Sequence, residues 1–428
     1  MIESVLIALL GTAVGLAIGL LPGLGTSFVL IAAYPILANW PVEWLLMFYV
    51  SVATSSQFSG SMSVLMFGVL GEITGQPAMQ ERKILRNHTD IAVIHTAAAS
   101  CIAVVVSFFV IAILWYMLPQ FVYVLRNEVK LAVLIAFVLL AVFWGGNNHW
   151  INMIMIVGGA ITGLVGYTYA GSSLLTFDQS WLAGGVPLLP LMVGLVAVPG
   201  ITKFVKAQFH IVAAVSPDRL PLSMNSVLRG SIIGSVIGLV PIIGNAITSQ
   251  LAWRNEQRLY HDFSVRHSLN RLTAAEAANN SGNITVLLPL LMFGLPIVPS
   301  EMILYNIMSS QGWIHASLTF GTVALITAAA AISAGSSWYL CGPAVVQLAQ
   351  WTQQYIRQIA AAAVVIAAGS VLYSGYQAYN TIWYTCTLLM SCTIGLACRK
   401  LDMSPVLITY LVFPQMVASA IIISQLYF

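Results

Sequence analysis

The chain has 428 residues, of which 59% are hydrophobic and only 7% are charged, and its formal net charge is +3. Soluble domains carry about 25% charged residues, so this composition excludes a soluble globular protein and points to one that lies in a lipid bilayer. The small positive charge gives no indication of nucleic-acid binding, because the basic residues sit in short loops between apolar segments. The five cysteines show no metal-ligand spacing, and no HExxH, GxSxG or P-loop motif indicates an enzyme.

Apolar stretches long enough to be whole or partial membrane spans recur along the chain. The clearest are 99–118, 131–145, 151–170, 183–202, 318–334, 358–372 and 404–426. Allowing for broken or re-entrant pieces, we predict an all-α integral membrane protein with about 10–12 transmembrane segments. The N-terminal apolar run follows Met1-Ile2-Glu3 without a positive region, so we expect a retained span there rather than a signal peptide.

A glycine–proline motif occurs twice, near the start of each half of the chain. Residues 11–27 read GTAVGLAIGLLPGLGTS, and residues 230–246 read GSIIGSVIGLVPIIGNA. Apolar segments interrupted by Gly and Pro at corresponding positions of two halves are the best sequence indication of a secondary transporter's binding site. We therefore predict one transmembrane domain built from two repeat halves, residues 1–210 and 211–428.

Each copy of the motif is followed by a second pair of matching segments. SGSMSVL at 59–65 corresponds to SGNITVL at 281–287, and MFG at 66–68 corresponds to MFG at 292–294. The match therefore extends over more than one segment, which favours a duplication over a chance similarity.

The loop charges indicate that the two halves are inverted. Linker 38–44 contains no Lys or Arg, whereas the corresponding linker of the second half contains Arg254, Arg258, Arg266 and Arg271. After SGSMSVL and SGNITVL, which we call the SG segments, the difference in basic charge reverses. The first half carries Arg82, Lys83 and Arg86 there, and the corresponding segment 306–317 of the second half carries no Lys or Arg. Lys and Arg in short loops mark the cytoplasmic side. Equivalent loops then lie on opposite faces, and we predict two inverted-topology repeats.

The prolines of the two motifs predict broken helices or re-entrant hairpins. Pro22 and Pro241 remove a backbone donor and clash with the preceding turn. A broken helix exposes N–H groups that attract anions and carbonyl groups that attract cations. The alternative is that the glycines form a packing face of small residues. The four-residue spacing of Gly11, Gly15 and Gly19 favours packing, whereas the sequence 22–25, PGLG, favours binding.

The SG segments add hydroxyl and amide groups to this apolar context. Such groups are costly in a membrane unless they line a cavity or meet partners. The candidate substrate-binding residues are Pro22, Gly23, Gly25, Thr26, Ser59, Gly60, Ser61, Gly244, Asn245, Asn280, Ser281, Gly282 and Asn283. The candidate residues for a coupling ion are Asn279, Thr285, Glu276 and Glu72. The alternative for the polar cluster is hydrogen bonding between helices, and Glu276 either carries a coupling proton or holds a helix end.

These motifs resemble the large membrane subunit, TctA-type, of the bacterial tripartite tricarboxylate transporter family. The resemblance rests on GLAIGLLPGLG at 15–25, GLVPIIGN at 238–245 and AAEAANNSGNITVLLPLLMFGLP at 274–296, and on a middle segment at 176–200. The chain departs from the family pattern at three places. Ile242 replaces a glycine, Ala275 replaces a proline, and FGVLGE, which contains Val69, lacks the family's proline but keeps Glu72.

The resemblance implies a secondary active transporter permease subunit for a carboxylate anion such as a dicarboxylate or tricarboxylate. It implies a periplasmic solute-binding protein (TctC-type) and a small membrane subunit (TctB-type) as partners, and the bacterial inner membrane as location. Because almost no Lys or Arg lies inside the spans, we expect Na⁺ or H⁺ to balance the anion's charge. No cofactor is implied other than Na⁺ as a coupling ion.

Two other functions remain open at this point. A membrane scaffold, or a degenerate homologue that no longer transports, would use the polar cluster for packing. A cavity at Asn280, Ser281 and Asn283 that opens to one face argues for transport, and its occlusion by side chains argues for the scaffold. A channel would need a continuous wet pore, which paired broken helices do not predict.

Overall fold

The computed structural model describes most of the chain, and every structural statement below refers to these residues. The residues outside the description are 1, 22–23, 69–74, 123–127, 129–130, 133, 137, 140–148, 170–171, 207–219, 240–243, 263, 295, 297, 314–319, 341–342, 399–409, 411–413, 415, 418–419 and 422–428.

Helices make up nearly all the regular structure of the described residues. They are α1 (Ile2–Gly19), α2 (Thr26–Leu37), α3 (Val42–Phe67), α4 (Gln76–Glu81), α5 (Thr89–Val122), α6 (His149–Leu164), α7 (Leu188–Val205), α8 (Met224–Ile237), α9 (Gly244–Leu259), α10 (Val265–Thr285), α11 (Leu287–Phe293), α12 (Pro299–Ser310), α13 (Phe320–Leu340), α14 (Pro343–Gln354), α15 (Ile356–Gln377) and α16 (Thr381–Ala397). Short 3₁₀ turns occupy Leu85–His88 and Ser180–Leu182, and a π-helical turn lies at Val193–Ala197 within α7. A two-residue antiparallel pair joins Thr168–Tyr169 to Ser172–Ser173. The prediction of an all-α membrane protein is confirmed.

Five helical stretches of the described residues are long and apolar enough to cross a membrane. They are Ile2–Gly19, Leu85–Ile113, Leu188–Val205, Gly321–Leu340 and Ile356–Gln377. Three shorter apolar helices, α2, α6 and α16, add to the apolar part of the bundle. The stretches 131–145 and 404–426, which contribute to the expected 10–12 spans, lie largely outside the described residues.

The two MFG segments end their helices in the same way. Gly68 follows α3 with φ of 68°, and Gly294 follows α11 with φ of 65°. The amide of Gly68 donates to Val64 O at 3.0 Å, and the amide of Gly294 donates to Leu290 O at 2.9 Å. Glycine adopts this left-handed conformation without a side-chain penalty, so the repeated MFG is a repeated helix stop.

Helices α1 and α3 pack closely and run parallel. A Cβ atom on Gly15 would lie 2.0 Å from Ser55 Oγ, and one on Gly19 would lie 2.1 Å from Ser59 Oγ. Both distances are far below any real contact, so only glycine permits this approach. The predicted packing role of the four-residue glycine spacing is therefore confirmed.

Helices α8 and α10 repeat this arrangement in the second half, but with a different register. A Cβ on Gly234 would lie 2.1 Å from Ser281 Oγ. Ser281 is the sequence counterpart of Ser59, yet Ser59 faces Gly19, whose counterpart is Gly238. The α8–α10 pair is thus shifted by four residues relative to the α1–α3 pair, which corresponds to about 6 Å along a helix.

Helices α3 and α10 run antiparallel against each other at the centre of the molecule. Gln57 on α3 bonds Asn279 on α10, and Ser61, one turn later, bonds Glu276, one turn earlier. The parallel pair α1–α3 therefore points opposite to the parallel pair α8–α10. These are the helix directions that inverted halves require.

Segments that lack Lys and Arg contact each other, and segments that carry basic residues contact each other on another side. Gln311 donates to Ala38 O and Trp40 O, which joins segment 306–313 to linker 38–41. We call this side, which lacks Lys and Arg in both segments, the neutral face. Arg271 pairs with Glu81, which joins the start of α10 to α4 and the basic residues after it. We call that side the basic face.

Candidate functional site

A buried carboxyl group lies where α3, α5 and α10 meet. Glu276 is 4% exposed, and its Oε2 accepts a hydrogen bond from Ser61 Oγ at 2.5 Å. Its Oε1 accepts from Asn280 Nδ2 at 2.8 Å and from Ser100 Oγ at 3.4 Å. All three partners are neutral, and none of the described residues forms an ion pair with Glu276. A carboxyl group buried without a cation is held by hydrogen bonds alone.

Asn280 is the hub of this cluster. Its Nδ2 also donates to Ser100 Oγ and to Glu276 O, both at 3.0 Å. Because all three groups accept from the same amide nitrogen, the carbonyl oxygen Oδ1 must point elsewhere. Asn280 Oδ1 is buried and has no hydrogen-bond partner among the described residues.

A pair of side-chain amides on α3 and α10 lies about one helical turn from the contact between Ser61 and Glu276. Asn279 Nδ2 donates to Gln57 Oε1 at 2.8 Å. Asn279 Oδ1 is buried, and within the described residues it has no partner. Buried oxygen atoms without partners are rare in native proteins and require an explanation such as a bound ion or water.

Three candidate hydroxyl groups lie in the helix-packing seams instead. Ser59 Oγ bonds to Ser55 O and Gly15 O, and Ser281 Oγ bonds to Ala278 O. Thr285 Oγ1 bonds to Ser281 O and Gly282 O and faces Gly238. These positions fit the alternative of helix packing for these three residues.

The end of the first motif reaches α3 near the amide pair. Thr26, the first residue of α2, has its Oγ1 3.1 Å from Ser56 Oγ, and Ser56 precedes Gln57. Gly25 precedes the helix in an extended conformation. Thr26, Gly25, Gln57 and Gly60 are all partly exposed, whereas Asn280 and Ser281 are fully buried.

Several candidate residues cannot be placed in this description. Pro22, Gly23 and Glu72 lie outside the described residues, and so do Val69, Pro241 and Ile242.

Gly244 and Asn245 form the first turn of α9. Asn283 and Gly282 lie on α10 beyond the Glu276 cluster, and Asn283 is 7% exposed.

The basic face holds a buried ion pair between the two halves. Arg271 Nε lies 2.6 Å from Glu81 Oε1, and Arg271 Nη2 lies 3.1 Å from Glu81 Oε2. Trp253 Nε1 donates to the same carboxylate at 2.8 Å, and Gln250 bonds Gln76. Arg271 also donates to Tyr260 O and Asp262 O, so it fixes the turn between α9 and α10.

The pKa values of two charged residues on the basic face are shifted by their surroundings. A hydrogen bond from His267 lowers the pKa of Asp262, which is exposed. Burial, followed by the nearby charge of Arg86, lowers the pKa of Arg82. Arg82 Nε donates to Leu65 O at 3.0 Å at the end of α3, so a cation lies at the negative end of that helix.

The neutral face is held by uncharged groups. Tyr49 on α3 has its hydroxyl 3.1 Å from Ser300 Oγ on α12, and Tyr34 on α2 donates to Asn306 Oδ1 at 2.9 Å. Together with the two bonds from Gln311, these contacts join the first half to α12. Both faces are thus closed by contacts between the halves.

Sequence reasoning missed two polar residues of the central cluster. Ser100 lies in the apolar helix α5 and contacts both Glu276 and Asn280, and Gln57 lies two residues before the SG segment. A single serine in an apolar span gives no sequence signal. A glutamine within an apolar helix does give one, because its side chain is costly to bury.

A model of the tripartite tricarboxylate transporter TctA family matches residues 5–409 of the chain. A curated relative from Agrobacterium vitis, described as an uncharacterized 52.8 kDa protein in the TAR-I ttuC' 3'region, is 24% identical over 320 residues. The matched region covers 71% of this chain and 63% of that relative, so the chain spans less than two thirds of the relative's length. No solved structure matches the chain.

Proposed function

Because this chain belongs to the tripartite tricarboxylate transporter TctA family, we propose that it is the permease subunit of a secondary transporter. It takes up a carboxylate anion, such as a dicarboxylate or tricarboxylate, together with Na⁺ or H⁺. The transport site lies between the two motif-bearing halves, at the level of Glu276 and Asn280.

The Glu276 cluster is the observation that carries this proposal. It joins α3 of the first half to α10 of the second, so a change in their relative position alters the hydrogen bonds of Glu276 directly. Intramembrane acids are expensive and are typical of ion pathways. A group whose bonds depend on the contact between halves can link ion binding to movement.

Charge balance requires a cation alongside the substrate. A carboxylate with two or three negative charges meets no Lys or Arg among the described residues around Glu276, Asn279 and Asn280. Helix N-termini offer about half a charge each. The oxygen atoms Asn279 Oδ1 and Asn280 Oδ1 and the Glu276 carboxyl group are the groups we assign to the coupling ion.

We assign the substrate to the partly exposed end of the first motif. Gly25 directly precedes Thr26, whose Oγ1 lies 3.1 Å from Ser56 Oγ, and Ser56 precedes Gln57. Pro22 and Gly23 are assigned to this site by their place in the sequence alone, since they lie outside the described residues. The counterparts of Gly25, Thr26 and Gln57 in the second half are Gly244, Asn245 and Asn279. Rocking of one half against the other would expose this site to each face in turn.

The remaining features of the proposal follow from the family. A solute-binding protein (TctC-type) delivers the anion, and a small membrane subunit (TctB-type) accompanies the permease. The basic face is cytoplasmic by the distribution of Lys and Arg, and the neutral face is periplasmic. The membrane is then the bacterial inner membrane.

One observation favours the second candidate, a scaffold that does not transport. Asn280 and Ser281 are fully buried, and the hydroxyl groups of Ser59, Ser281 and Thr285 serve helix packing. A transporter closed at both faces would show the same burial. Asn280 Oδ1, which belongs to the amide that bonds Glu276, and Asn279 Oδ1 favour the transporter, because a coupling ion would supply the partner that both lack among the described residues.

Counterflow in proteoliposomes tests the proposal. The purified chain is reconstituted, loaded with unlabelled citrate or succinate, and supplied with the labelled compound outside, with Na⁺ and pH gradients imposed separately. The transporter predicts counterflow of a carboxylate and accumulation with one of the two gradients. Absence of counterflow for both carboxylates, with the chain correctly inserted, would support the scaffold.

A further inference from the structure

The two halves are tied together at opposite faces by two sets of contacts. The basic-face latch joins α4 to α9 and α10 through Glu81–Arg271, Glu81–Trp253 and Gln76–Gln250. The neutral-face latch joins α12 to the first half through Tyr49–Ser300, Tyr34–Asn306 and the two bonds from Gln311 to Ala38 O and Trp40 O. Each latch joins groups of one half to groups of the other, so neither face can open until its latch separates.

The central residues of the two latches correspond in sequence. Tyr49 and Arg271 are 222 residues apart, which is the spacing that aligns Ser59 with Ser281. Tyr49 lies near the start of α3, and Arg271 lies near the start of α10. Tyr49 bonds α12 and Arg271 bonds α4, and each of these is the first described helix after the MFG segment of the opposite half. One structural position therefore serves both faces, with a different residue on each.

The two latches differ in charge. The side chains of Arg271 and Glu81 are 1% and 3% exposed, and the Glu81 carboxylate accepts three hydrogen bonds. The neutral-face bonds involve only hydroxyl, amide and carbonyl groups. Tyr49 and Ser300 are also buried, and so is Glu301, the neighbour of Ser300 in the chain, whereas Gln311 is exposed. Charge-assisted bonds are about twice as strong as neutral ones. Separating Arg271 from Glu81 without full hydration also leaves two buried charges unpaired, which is strongly unfavourable.

We propose that the two latches are the gates of the transport cycle and that the substrate-free protein rests with the basic-face gate closed and the neutral-face gate open for most of the time. This inference rests on the proposed function, since it assumes that the halves rock. An importer in this resting state presents its site to the compartment that holds the substrate. Substrate and coupling ion then supply the free energy that separates Arg271 from Glu81.

Hydrogen–deuterium exchange of the substrate-free full chain in lipid nanodiscs tests the gates without any transport assay. Exchange is followed in peptides that cover α4 and in peptides that cover α12. Glu81→Gln removes the charge of the basic-face latch, and Trp253→Phe removes one of its bonds more mildly. We expect Glu81→Gln to raise exchange at α4 about fivefold and to lower it at α12, because the population shifts to the opposite state.

The proposed resting state, with the basic-face gate closed and the neutral-face gate open, leads to a separate expectation for the neutral-face latch. Tyr49→Phe loosens a gate that is already open in most molecules, so exchange at both helices should change less than about twofold. A large reciprocal change in Tyr49→Phe with little effect in Glu81→Gln would reverse the bias and overturn the inference. If exchange in Glu81→Gln rises at α4 without falling at α12, the Glu81–Arg271 ion pair has only a structural role, and the inference is likewise overturned.

A matched ion pair within one half provides the control. Glu256 is fully buried and accepts from Arg229 Nε at 2.6 Å and Arg229 Nη2 at 2.9 Å, but both residues belong to the second half. Glu256→Gln should loosen α8 and α9 and leave α12 unchanged. Carboxylate counterflow without reciprocal exchange would retain the proposed function and reject the gates. Reciprocal exchange without counterflow would show that the two faces open alternately in a protein that does not carry these carboxylates, and it would reject the proposed function together with the latches' role as transport gates.

Discussion

Ser61 Oγ lies 2.5 Å from Glu276 Oε2, and this bond joins the antiparallel central helices of the two halves. Ser61 belongs to the SG segment of the first half, and Glu276 lies five residues before the SG segment of the second. The bond therefore joins the repeated segment of one half to the residues just before it in the other half, through a hydroxyl and a carboxyl group.

Glu276→Gln should separate ion coupling from substrate binding. Glutamine keeps the size of the side chain and can still accept from Asn280, but it cannot bind a proton or neutralise a cation. We expect gradient-driven accumulation of carboxylate to fall by at least about tenfold, while counterflow persists. Undiminished accumulation in Glu276→Gln would remove Glu276 from the coupling site.

Asn280→Ala should abolish uptake while leaving membrane insertion intact. The change removes the donor to Glu276 Oε1 and leaves that oxygen with only the longer bond from Ser100. Uptake of citrate or succinate and the amount of protein in the membrane fraction are measured together. Pro22→Ala, which removes the proline of the first motif, should have the same effect. Normal uptake in both variants would refute the site assignment.

Gln57→Ala should weaken uptake through the pair with Asn279. The amide of Gln57 is partly exposed, and its Oε1 is fixed by Asn279 Nδ2. We expect uptake to fall about tenfold, chiefly through a higher apparent KM. Gln179→Ala, at an exposed position on the neutral-face side, is the matched control and should behave as wild type.

Thr285→Val should be nearly silent in transport. The Thr285 hydroxyl bonds only to carbonyl groups of its own helix, and valine has the same shape. We expect uptake within about twofold of wild type under Na⁺ and pH gradients alike, because a hydroxyl that bonds only to carbonyl groups of its own helix contributes little to that helix. A specific loss of Na⁺-driven uptake would instead return Thr285 to the coupling site.

Gly234→Ala should destabilise the helix pair α8–α10. The added Cβ would lie 2.1 Å from Ser281 Oγ and 2.2 Å from Ala278 O, so the helices must separate. We expect a loss of about 2 kcal/mol of stability, seen as a lower midpoint of thermal unfolding in detergent. Gly158→Ala on α6 is the control, since a Cβ there meets no atom within 4 Å. Equal midpoints for the two variants would contradict the close packing.

Local patterns in the sequence predicted the parts of the fold that depend on backbone and charge. The spacing of Gly11, Gly15 and Gly19 predicted a packing face, because only glycine permits helix contact at such distances. The distribution of Lys and Arg predicted which loops share a face, and the bonds Gln311–Trp40 and Arg271–Glu81 join loops of like type.

The rotation of each helix about its axis could not be predicted in the same way. Thr285 and Asn280 are both polar residues of the same helix, but one faces a packing seam and the other a carboxyl group. Ser100 and Glu81 lie far along the chain from their partners on α10. Their roles depend on tertiary packing, which hydropathy and spacing do not specify.

The four-residue shift between the α1–α3 and α8–α10 pairs equals the spacing of the glycines in both motifs. Ser59 faces Gly19, whereas its counterpart Ser281 faces Gly234, the counterpart of Gly15. A helix pair that slides by one turn, about 6 Å, therefore still places a glycine opposite the same hydroxyl group. A glycine at every fourth residue thus allows the same seam to be packed in two registers.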